Sequence, residues 1–225
     1  MTRKDGKLER TGIAVEAKLG EDRVGFSEQL ERAKQGDKAA IGVMLEWYCN
    51  YLTILASTQL DQRLRRRVSP SDLVQETLLA AHRDFADFRG QSERELIGWL
   101  RQILIHRLHH IIDEHVKAGK RDIRREVSIE QIHTSVDRSA ANYAKLIPAR
   151  TNSPSSPMHM EERAVAISNE LAKLPQHYRD VIVFRNLQGH SFEEIAKLMD
   201  RSVGATRMLW LRALEKLKEV CEPIE

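Results

Sequence analysis

The segment that most constrains the fold is residues 189–217, where two amphipathic stretches flank a short polar break. Apolar residues recur at helical spacing on both sides of the break, which falls at residues 200–202. Ser202 is a favourable N-cap for the second stretch, and the small Ala196 permits two helices to cross closely. The pattern predicts a helix-turn-helix, whose second helix enters the major groove of DNA. A plain antiparallel helix pair is the alternative.

Polar side chains along the second helix are the candidates for DNA contact. Arg207 is the candidate for reading a base, because an arginine can pair bidentately with guanine. Met208 either meets a thymine methyl group or packs, while Leu209 is expected to pack. The other cations are expected to hold the phosphate backbone. The predicted set is Arg201, Ser202, Arg207, Met208, Arg212 and Lys216.

The composition of the 225 residues favours helices, since only 5% are aromatic and 31% are charged. Such a mix suits helices with narrow apolar faces, and no stretch has a convincing strand pattern. The sequence therefore predicts an all-α fold of two small helical domains joined by a flexible linker, the C-terminal one a helix-turn-helix. The net charge of +3 indicates local basic patches rather than a polybasic scaffold.

Two features bear on where the protein acts. Cys49 and Cys221 are far apart on predicted helices, which favours reduced thiols in a cytoplasmic protein. The polar start of the chain has no signal-peptide core, and no apolar run has the length of a membrane span. We therefore expect a soluble, cytoplasmic protein without membrane insertion. Residues 1–22 are interpreted as a disordered leader.

The predicted first domain covers residues 23–125, where helical periodicity is strong. A turn at residues 35–37 has Asp37 as a candidate cap, and the sequence Ser-Pro-Ser-Asp at 69–72 predicts a firm helix start. A break at 89–92 separates this helix from a long one over 93–115, and a basic tail follows. The predicted buried positions of these two helices are Val74, Leu78, Ala81, Phe85, Phe88, Ile97, Leu100, Leu104, Leu108 and Ile111.

Residues 126–160 lose this periodicity and are predicted to be a flexible linker. The stretch 151–157 is a linker by its content of Ser, Pro and Asn. The second domain, 161–225, begins with a helix that ends at Pro175, and a helix over 175–187 leads to the helix-turn-helix.

In order and spacing, these motifs resemble those of the extracytoplasmic-function (ECF) sigma factors of bacterial RNA polymerase, from about Phe26 to Val220. Three segments carry the resemblance. The first is Asp72-Leu73-Val74-Gln75-Glu76 with Phe85, Phe88, Arg89 and Gly90. The second is Trp99-Leu100 with Ile103 and the basic tail. The third is Leu174-Pro175 with Tyr178-Arg179, then Glu194-Ile195-Ala196 and Arg212-Ala213.

The resemblance implies a sigma factor that directs core polymerase to specific promoters and assists melting of the −10 element in transcription initiation. Its implied partners are core RNA polymerase, through the β′ clamp and the β flap, and promoter DNA; an anti-sigma factor is compatible with it. The outward face of the helix after Ser69 is implied to grip the β′ clamp. A lone apolar side chain among polar ones is typical of such surfaces, although a solvated helix face is the alternative. The implied residues are Asp72, Gln75, Glu76 and Leu79.

In the family, the loop corresponding to residues 89–93 captures a base flipped from the non-template strand, which helps to keep the duplex open. The helix that follows and its basic tail are implied to contact the strand and neutralise phosphates. A solvated basic helix end is the alternative. The implied −10 residues are Arg89, Gln91, Ser92, Arg101, Gln102, His106, His109, Lys117, Lys120 and Arg121.

This chain departs from the family pattern at several positions. Met208 and Leu209 occupy positions that are often polar in the family. His106 stands where the family usually has asparagine, and Asp200 where it usually has glycine. The second change is tolerable because aspartate accepts left-handed backbone geometry better than most residues. Trp99 is expected to lie in the core.

A metal site and a stand-alone regulator are the competing hypotheses. Histidines and acids crowd residues 106–115, but His110 and His115 are five residues apart and cannot converge on one ion. No nucleophile–base pair, phosphate-binding glycine loop or cofactor motif is recognisable, so we expect no metal, no cofactor and no enzyme activity. A helix-turn-helix regulator that acts without polymerase would need a dimerisation surface or an effector domain.

Overall fold

The computed structural model describes residues 25–60, 64, 68–118, 128–144, 146 and 157–221. Throughout these ranges the regular structure is helical, and no strand occurs in them. The described chain divides into two compact units, residues 25–138 and residues 139–221. The all-α prediction and the C-terminal helix-turn-helix are confirmed.

The first unit is built from five helices and the start of a sixth. α1 covers residues 25–34, and the next four are α2 (Lys38–Glu46), α3 (Cys49–Gln59), α4 (Pro70–Arg83) and α5 (Glu93–Ala118). A 3₁₀ turn, Phe85–Asp87, follows α4. α4 packs against α2, α3 and α5.

Local sequence determines where these helices begin. The Asp37 side chain accepts hydrogen bonds from the backbone N–H groups of Ala39 and Ala40, at 2.9 and 3.1 Å, and so caps α2 as predicted. α4 starts with a capping box in which Ser69 and Asp72 each bond the other's backbone N–H. The bend of 53° between α2 and α3 was not predicted, because apolar residues continue through it.

The core of the first unit is the apolar face of α4 laid on those of α3 and α5. All predicted buried positions except Leu78 are buried, and Leu78 is half-buried. Leu73, Thr77 and Ala80 of α4 are buried as well, since the helix packs against neighbours on more than one side.

α6, Ile129–Ala144, lies within the segment that the sequence predicts to be a linker. The prediction of lost periodicity is therefore wrong for these residues. Ile132, Val136 and Ala140 recur at intervals of four and are buried together with Ser139, which is a narrow helical stripe. Because polar residues surround that stripe in the sequence, its helical periodicity was not recognised. The boundary between the two units falls inside α6, after residue 138 rather than at 125.

The second unit contains α7 (Pro157–Ala172), α8 (Gln176–Ile182), α9 (Phe192–Leu198) and α10 (Val203–Cys221). Its core forms where α10 packs against α7, α8 and α9. Ala164, Ile167 and Leu171 are buried as expected, and Pro175 occupies the N-cap of α8.

The helix predicted over 175–187 changes its winding part-way. α8 continues directly into a π-helical turn, Val183–Leu187, in which the Gln188 N–H donates to the Val183 carbonyl at 3.1 Å. Such turns contain one residue more than an α-helix would use. Gly189, with φ of +74°, then ends the segment in a left-handed conformation that suits glycine.

Within the described ranges, no single helix is long and apolar enough to cross a membrane. The bent pair α2 and α3 would reach that length and composition only when taken together. Neither Cys221, which is buried, nor Cys49, which is half-buried, forms a disulfide in the described structure.

Candidate nucleic-acid interface

The first helix of the helix-turn-helix begins with a capping box. The Glu194 N–H donates to the Ser191 hydroxyl, and the Glu194 carboxylate accepts the Ser191 N–H at 2.7 Å. Hydrogen bonds from the Ser191 backbone, and then from its hydroxyl, lower the pKa of Glu194. The negative charge at this end also suits the helix dipole. α9 therefore has a fixed start despite being only seven residues long.

The turn between the two helices depends on Asp200, which has φ of +51°. The Arg201 N–H donates to the Ala196 carbonyl at 2.9 Å, which makes the turn a Schellman motif with Asp200 in the left-handed position. The prediction that aspartate would accept this geometry is confirmed. Ala196 is buried, with 5% of its surface exposed.

α10 begins at Ser202, as predicted. The Ser202 hydroxyl accepts a hydrogen bond from the Ala205 N–H at 3.2 Å. One face of α10 is buried through Thr206, Leu209, Ala213, Leu217 and Cys221. The expected packing of Leu209 is confirmed.

The candidate DNA contacts of α10 and the turn are all exposed. The exposed set is Arg201, Ser202, Arg207, Met208, Arg212 and Lys216. Met208 is half exposed at 51%, so it is available for contact rather than packed. Lys216 donates to Glu219 at 2.8 Å on the same helix.

Arg207 differs from the other arginines of this surface because α9 holds it. Its Nη2 atom lies 3.7 Å from Oε1 of Glu193, and its Cζ atom lies 5.5 Å from the centroid of the Phe192 ring. The first contact is an ion pair and the second a cation–π contact. Two neighbouring residues at the start of α9 therefore approach one guanidinium group of α10.

The Phe192 ring is itself held by two other elements, the π turn and α10. Arg185 of the π turn places its Cζ atom 4.6 Å from the ring centroid and donates to the His190 carbonyl at 2.9 Å. Trp210 of α10 meets the ring edge-on at 5.7 Å and donates from Nε1 to Asn186 Oδ1 at 3.0 Å. The ring is thus a fixed support under the start of the recognition helix.

In the first unit, the loop between α4 and α5 is shaped by Gly90. A Cβ atom at this position would lie 2.4 Å from Cζ of Phe88 and 2.8 Å from Cβ of Glu95. Glycine is therefore required for the close approach of this backbone to the ring. Phe88 in turn packs at 5.2 Å against Trp99, which is half-buried rather than in the core.

The same loop is fixed by Glu95. Its Oε2 atom accepts hydrogen bonds from the backbone of Gln91 at 2.9 Å, the backbone of Ser92 at 3.0 Å and the Ser92 hydroxyl at 2.7 Å. These bonds, the Ser92 hydroxyl first, lower the pKa of Glu95. Arg89 and the side chain of Gln91 remain exposed.

Along α5, Gln102 and His106 are exposed and His109 is half-buried. The prediction that Arg101 points outward is wrong. Only 16% of its side chain is exposed, because it lies 3.9 Å from Asp137 of α6 and reaches the Tyr51 hydroxyl. An arginine is drawn inward here by a carboxylate on a helix that the sequence did not predict. The Lys117 side chain, Lys120 and Arg121 lie outside the described residues.

The outward face of α4 is arranged as predicted. Gln75 and Glu76 are exposed, and Leu79 is 71% exposed. Asp72 is exposed as well, but its carboxylate accepts from the Ser69 hydroxyl at 2.7 Å, which lowers its pKa. Asp72 thus also holds the start of the helix.

Comparison with known proteins shows what this chain is similar to. Residues 164–217 match the family model described as sigma-70, region 4. A relative from Haemophilus influenzae, named ECF RNA polymerase sigma-E factor, is 28% identical over 87% of this chain and 94% of its own length. Proteins of that name from Salmonella typhimurium and Escherichia coli are 28% identical over 88% of this chain and 98% of their own length. The resemblance to ECF sigma factors is confirmed.

No sequence pattern pointed to Phe192 or Glu193 as members of this surface. Their offset from Arg207 is set by the Schellman turn, so the contact becomes visible only when both helices are placed. A pairing of opposite charges across the turn was the available signal.

Among the described side chains of α5, the histidines His106, His109 and His110 do not form a group of metal ligands. His110 lies 3.7 Å from Glu114 one turn away, while His106 is exposed. In the part of the chain that the structure describes, no three His, Cys, Asp or Glu side chains are grouped as metal ligands would be.

Proposed function

We propose that this chain is an ECF-type sigma factor, which binds core RNA polymerase, directs it to specific promoters and assists opening of the −10 element. The observation that carries this proposal is the exposed basic helix of a region 4 helix-turn-helix, within a chain that matches ECF sigma factors along most of its length. Such a protein acts in the cytoplasm beside its polymerase. The chain contributes recognition, and the polymerase contributes the chemistry.

Contact with the −35 element is assigned to α10 and the turn before it. Arg207 and Met208 face the bases, while Arg201, Ser202, Arg212 and Lys216 hold the phosphates. The exposure of all six side chains and the capped start of α10 support this assignment. The hydrogen bond between Lys216 and Glu219 must break before Lys216 can bind a phosphate.

Contact with the −10 element is assigned to the loop after α4 and to the outward side of α5. Arg89, Gln91, Ser92, Gln102, His106 and His109 form this surface. Lys117, Lys120 and Arg121 are assigned to the same contact from the sequence alone. A loop that holds a flipped base benefits from a fixed backbone, because an ordered loop loses less entropy on binding. The three bonds to Glu95 and the close contact at Gly90 give this loop such a backbone. We leave Arg101 out of this surface because Asp137 already binds it.

Contact with the β′ clamp is assigned to Gln75, Glu76 and Leu79, with Asp72 beside them. Leu79 is the most exposed large apolar side chain among the described residues, at 71%. An apolar centre with a polar rim is the usual composition of a protein interface. The β flap and an anti-sigma factor are further proposed partners, without residues assigned.

The deciding experiment is reconstituted transcription. The full chain would be mixed with bacterial core polymerase and genomic fragments from its own source, and start sites would be mapped. We expect new start sites that need the chain and disappear in the double variant Gln75→Ala, Leu79→Ala. Val43→Ala is the matched control, since Val43 is also exposed, at 46%, but lies on α2.

The opposite result is equally clear. A chain that neither binds core nor directs a start, yet binds duplex DNA alone, would be a stand-alone regulator instead. Loss of start sites in the Val43 control would show that the effect on α4 is not specific to the proposed interface.

A further inference from the structure

We propose that Glu193 is a specificity-determining residue of the helix-turn-helix: it positions Arg207 for a guanine and disfavours its use on a phosphate. The inference rests on the proposed function, because it concerns how the same DNA surface chooses its sequence. It adds α9 to that choice, although α9 carries none of the assigned base or phosphate contacts.

The first support is that two contacts meet on one guanidinium group. Glu193 approaches Arg207 at 3.7 Å, and the adjacent Phe192 places its ring 5.5 Å away. Because Arg185 and Trp210 hold that ring from other sides, its position does not depend on Arg207. The guanidinium therefore has a defined resting place beside a carboxylate and against a ring.

The second support is the contrast among the cations of this surface. Within the described residues, neither Arg201 nor Arg212 forms an ion pair with a carboxylate. Lys216 does so, but with Glu219 of its own helix, far from the start of α10. Only for Arg207, among the described cations of α10 and the turn, does the partner come from the other helix of the motif.

An exposed pair of this kind contributes little to folding stability, since Glu193 and Arg207 both keep 60% of their side-chain surface exposed. Its effect on DNA binding is to disfavour contact between Arg207 and a phosphate. A phosphate that approaches Arg207 also approaches the carboxylate of Glu193, and like charges repel. The O6 and N7 atoms of guanine are neutral acceptors, so they do not meet this repulsion.

The pair therefore favours a base over the backbone for this one arginine. Negative charge next to a reading arginine lowers sequence-independent affinity and leaves the base contact in place, which raises the ratio of specific to non-specific binding.

The test is a selection of −35 sequences from a randomised promoter library by polymerase carrying the full chain. The variants are Glu193→Gln and Arg207→Ala, and the control is Glu215→Gln. Glu215 is exposed on α10, eight residues and so about 12 Å along the helix from Arg207. Glu215→Gln therefore removes one negative charge, as Glu193→Gln does, without changing the ion pair of Glu193 with Arg207.

We expect the unchanged chain to select guanine at one position, and Arg207→Ala to lose that preference alone. Glu193→Gln should weaken the preference at the same position by roughly tenfold, which is within the discrimination of one bidentate contact. It should also bind random duplex more tightly and with a steeper salt dependence. Replacing the selected guanine by 7-deazaguanine, which lacks N7, should cost the unchanged chain more than Glu193→Gln.

A merely structural role would not move the preference at a single position. The inference is overturned if Glu193→Gln selects the same sequences as the unchanged chain, or if Glu215→Gln changes the preference equally. It is also overturned if Arg207→Ala leaves every position unchanged. If the unchanged chain with core selects no −35 sequence at all, the proposed function fails together with it.

Discussion

The Phe88 ring lies so close to the backbone of Gly90 that a Cβ atom there would come within 2.4 Å of Cζ. The ring is also held against Phe85 and Trp99, with centroids 5.6 and 5.2 Å away, so it has little room to withdraw. The loop assigned to the flipped base is therefore built directly on an aromatic cluster.

Gly90→Ala should disturb that loop. The added methyl group must displace the ring or the backbone, a change that typically costs about 1–3 kcal/mol in a packed region. We expect a lower free energy of unfolding in urea, and weaker permanganate reactivity of thymines in the −10 region of the open complex.

Gly98→Ala is the control for that experiment. Gly98 lies within α5 with no atom within 4 Å of a Cβ, so alanine should stabilise the helix by roughly 0.5–1 kcal/mol. The two variants are therefore expected to change the free energy of unfolding in opposite directions. A Gly90→Ala protein as stable and as active as the original would show that the loop adjusts freely.

Leu79→Lys should reduce binding to core polymerase without reducing stability. The side chain is 71% exposed, so its replacement removes almost no packing, whereas a buried interface would have to accommodate a charge. Affinity for core would be measured by fluorescence anisotropy, beside urea unfolding. A drop in stability that accompanies the loss of binding would contradict an interface role.

The capping carboxylates Glu95 and Glu194 should make stability depend on pH. Both have a folded pKa below the ordinary 4.5, so the ionised form is favoured in the folded state. Their contribution is present above pH 4.5 and is lost as the pH falls through the lowered folded values.

The measurement is the unfolding midpoint in urea between pH 6 and pH 3. Glu95→Gln and Glu194→Gln should each flatten the acid-side decline relative to the unchanged chain. Glu76→Gln, an exposed glutamate outside any cap in the described structure, should leave the slope as it was. A slope unchanged in both cap variants would exclude these carboxylates as its source.

Asp200→Gly should stabilise the second unit. The residue is held at φ of +51°, a conformation that glycine adopts without steric cost. A gain of about 1 kcal/mol in the free energy of unfolding is expected. Asp200→Val, which is β-branched, should lower it, and a Val variant as stable as the Gly variant would argue against the turn geometry.

Arg212→Ala should weaken DNA binding uniformly across sequences. Loss of one phosphate contact lowers the slope of log affinity against log salt concentration by about one. The variant should keep the −35 preference of the unchanged chain, measured in the same selection. A changed preference would make Arg212 a base contact instead.

Most of the fold could be predicted because its signals are local. Caps at Asp37, Ser69 and Ser202, and the break at Pro175, lie in the sequence beside the helices that they begin or end. The apolar stripes of α4 and α5 were equally readable. α6 could not be predicted, because its buried residues form only a narrow stripe and polar residues surround it in the sequence.

The site residues could be predicted where the position of a residue around its helix determines whether its side chain is exposed. Leu79 was placed on the outward face correctly for that reason, whereas the sequence left Met208 open between contact and packing. Arg101 was misplaced because its partner, Asp137, belongs to the unpredicted helix. The contact of Glu193 with Arg207 depends on a crossing of two helices, which no local pattern encodes.

The π turn at Val183–Leu187 acts as a one-residue phase shift in the chain. Everything after it is rotated by about 100° from the direction that an uninterrupted α-helix would give. Asn186, which meets Trp210, and Arg185, which meets Phe192, both lie within this turn. Deleting one residue here would therefore change which side chains of this segment meet Phe192 and Trp210, and so alter the support under α10.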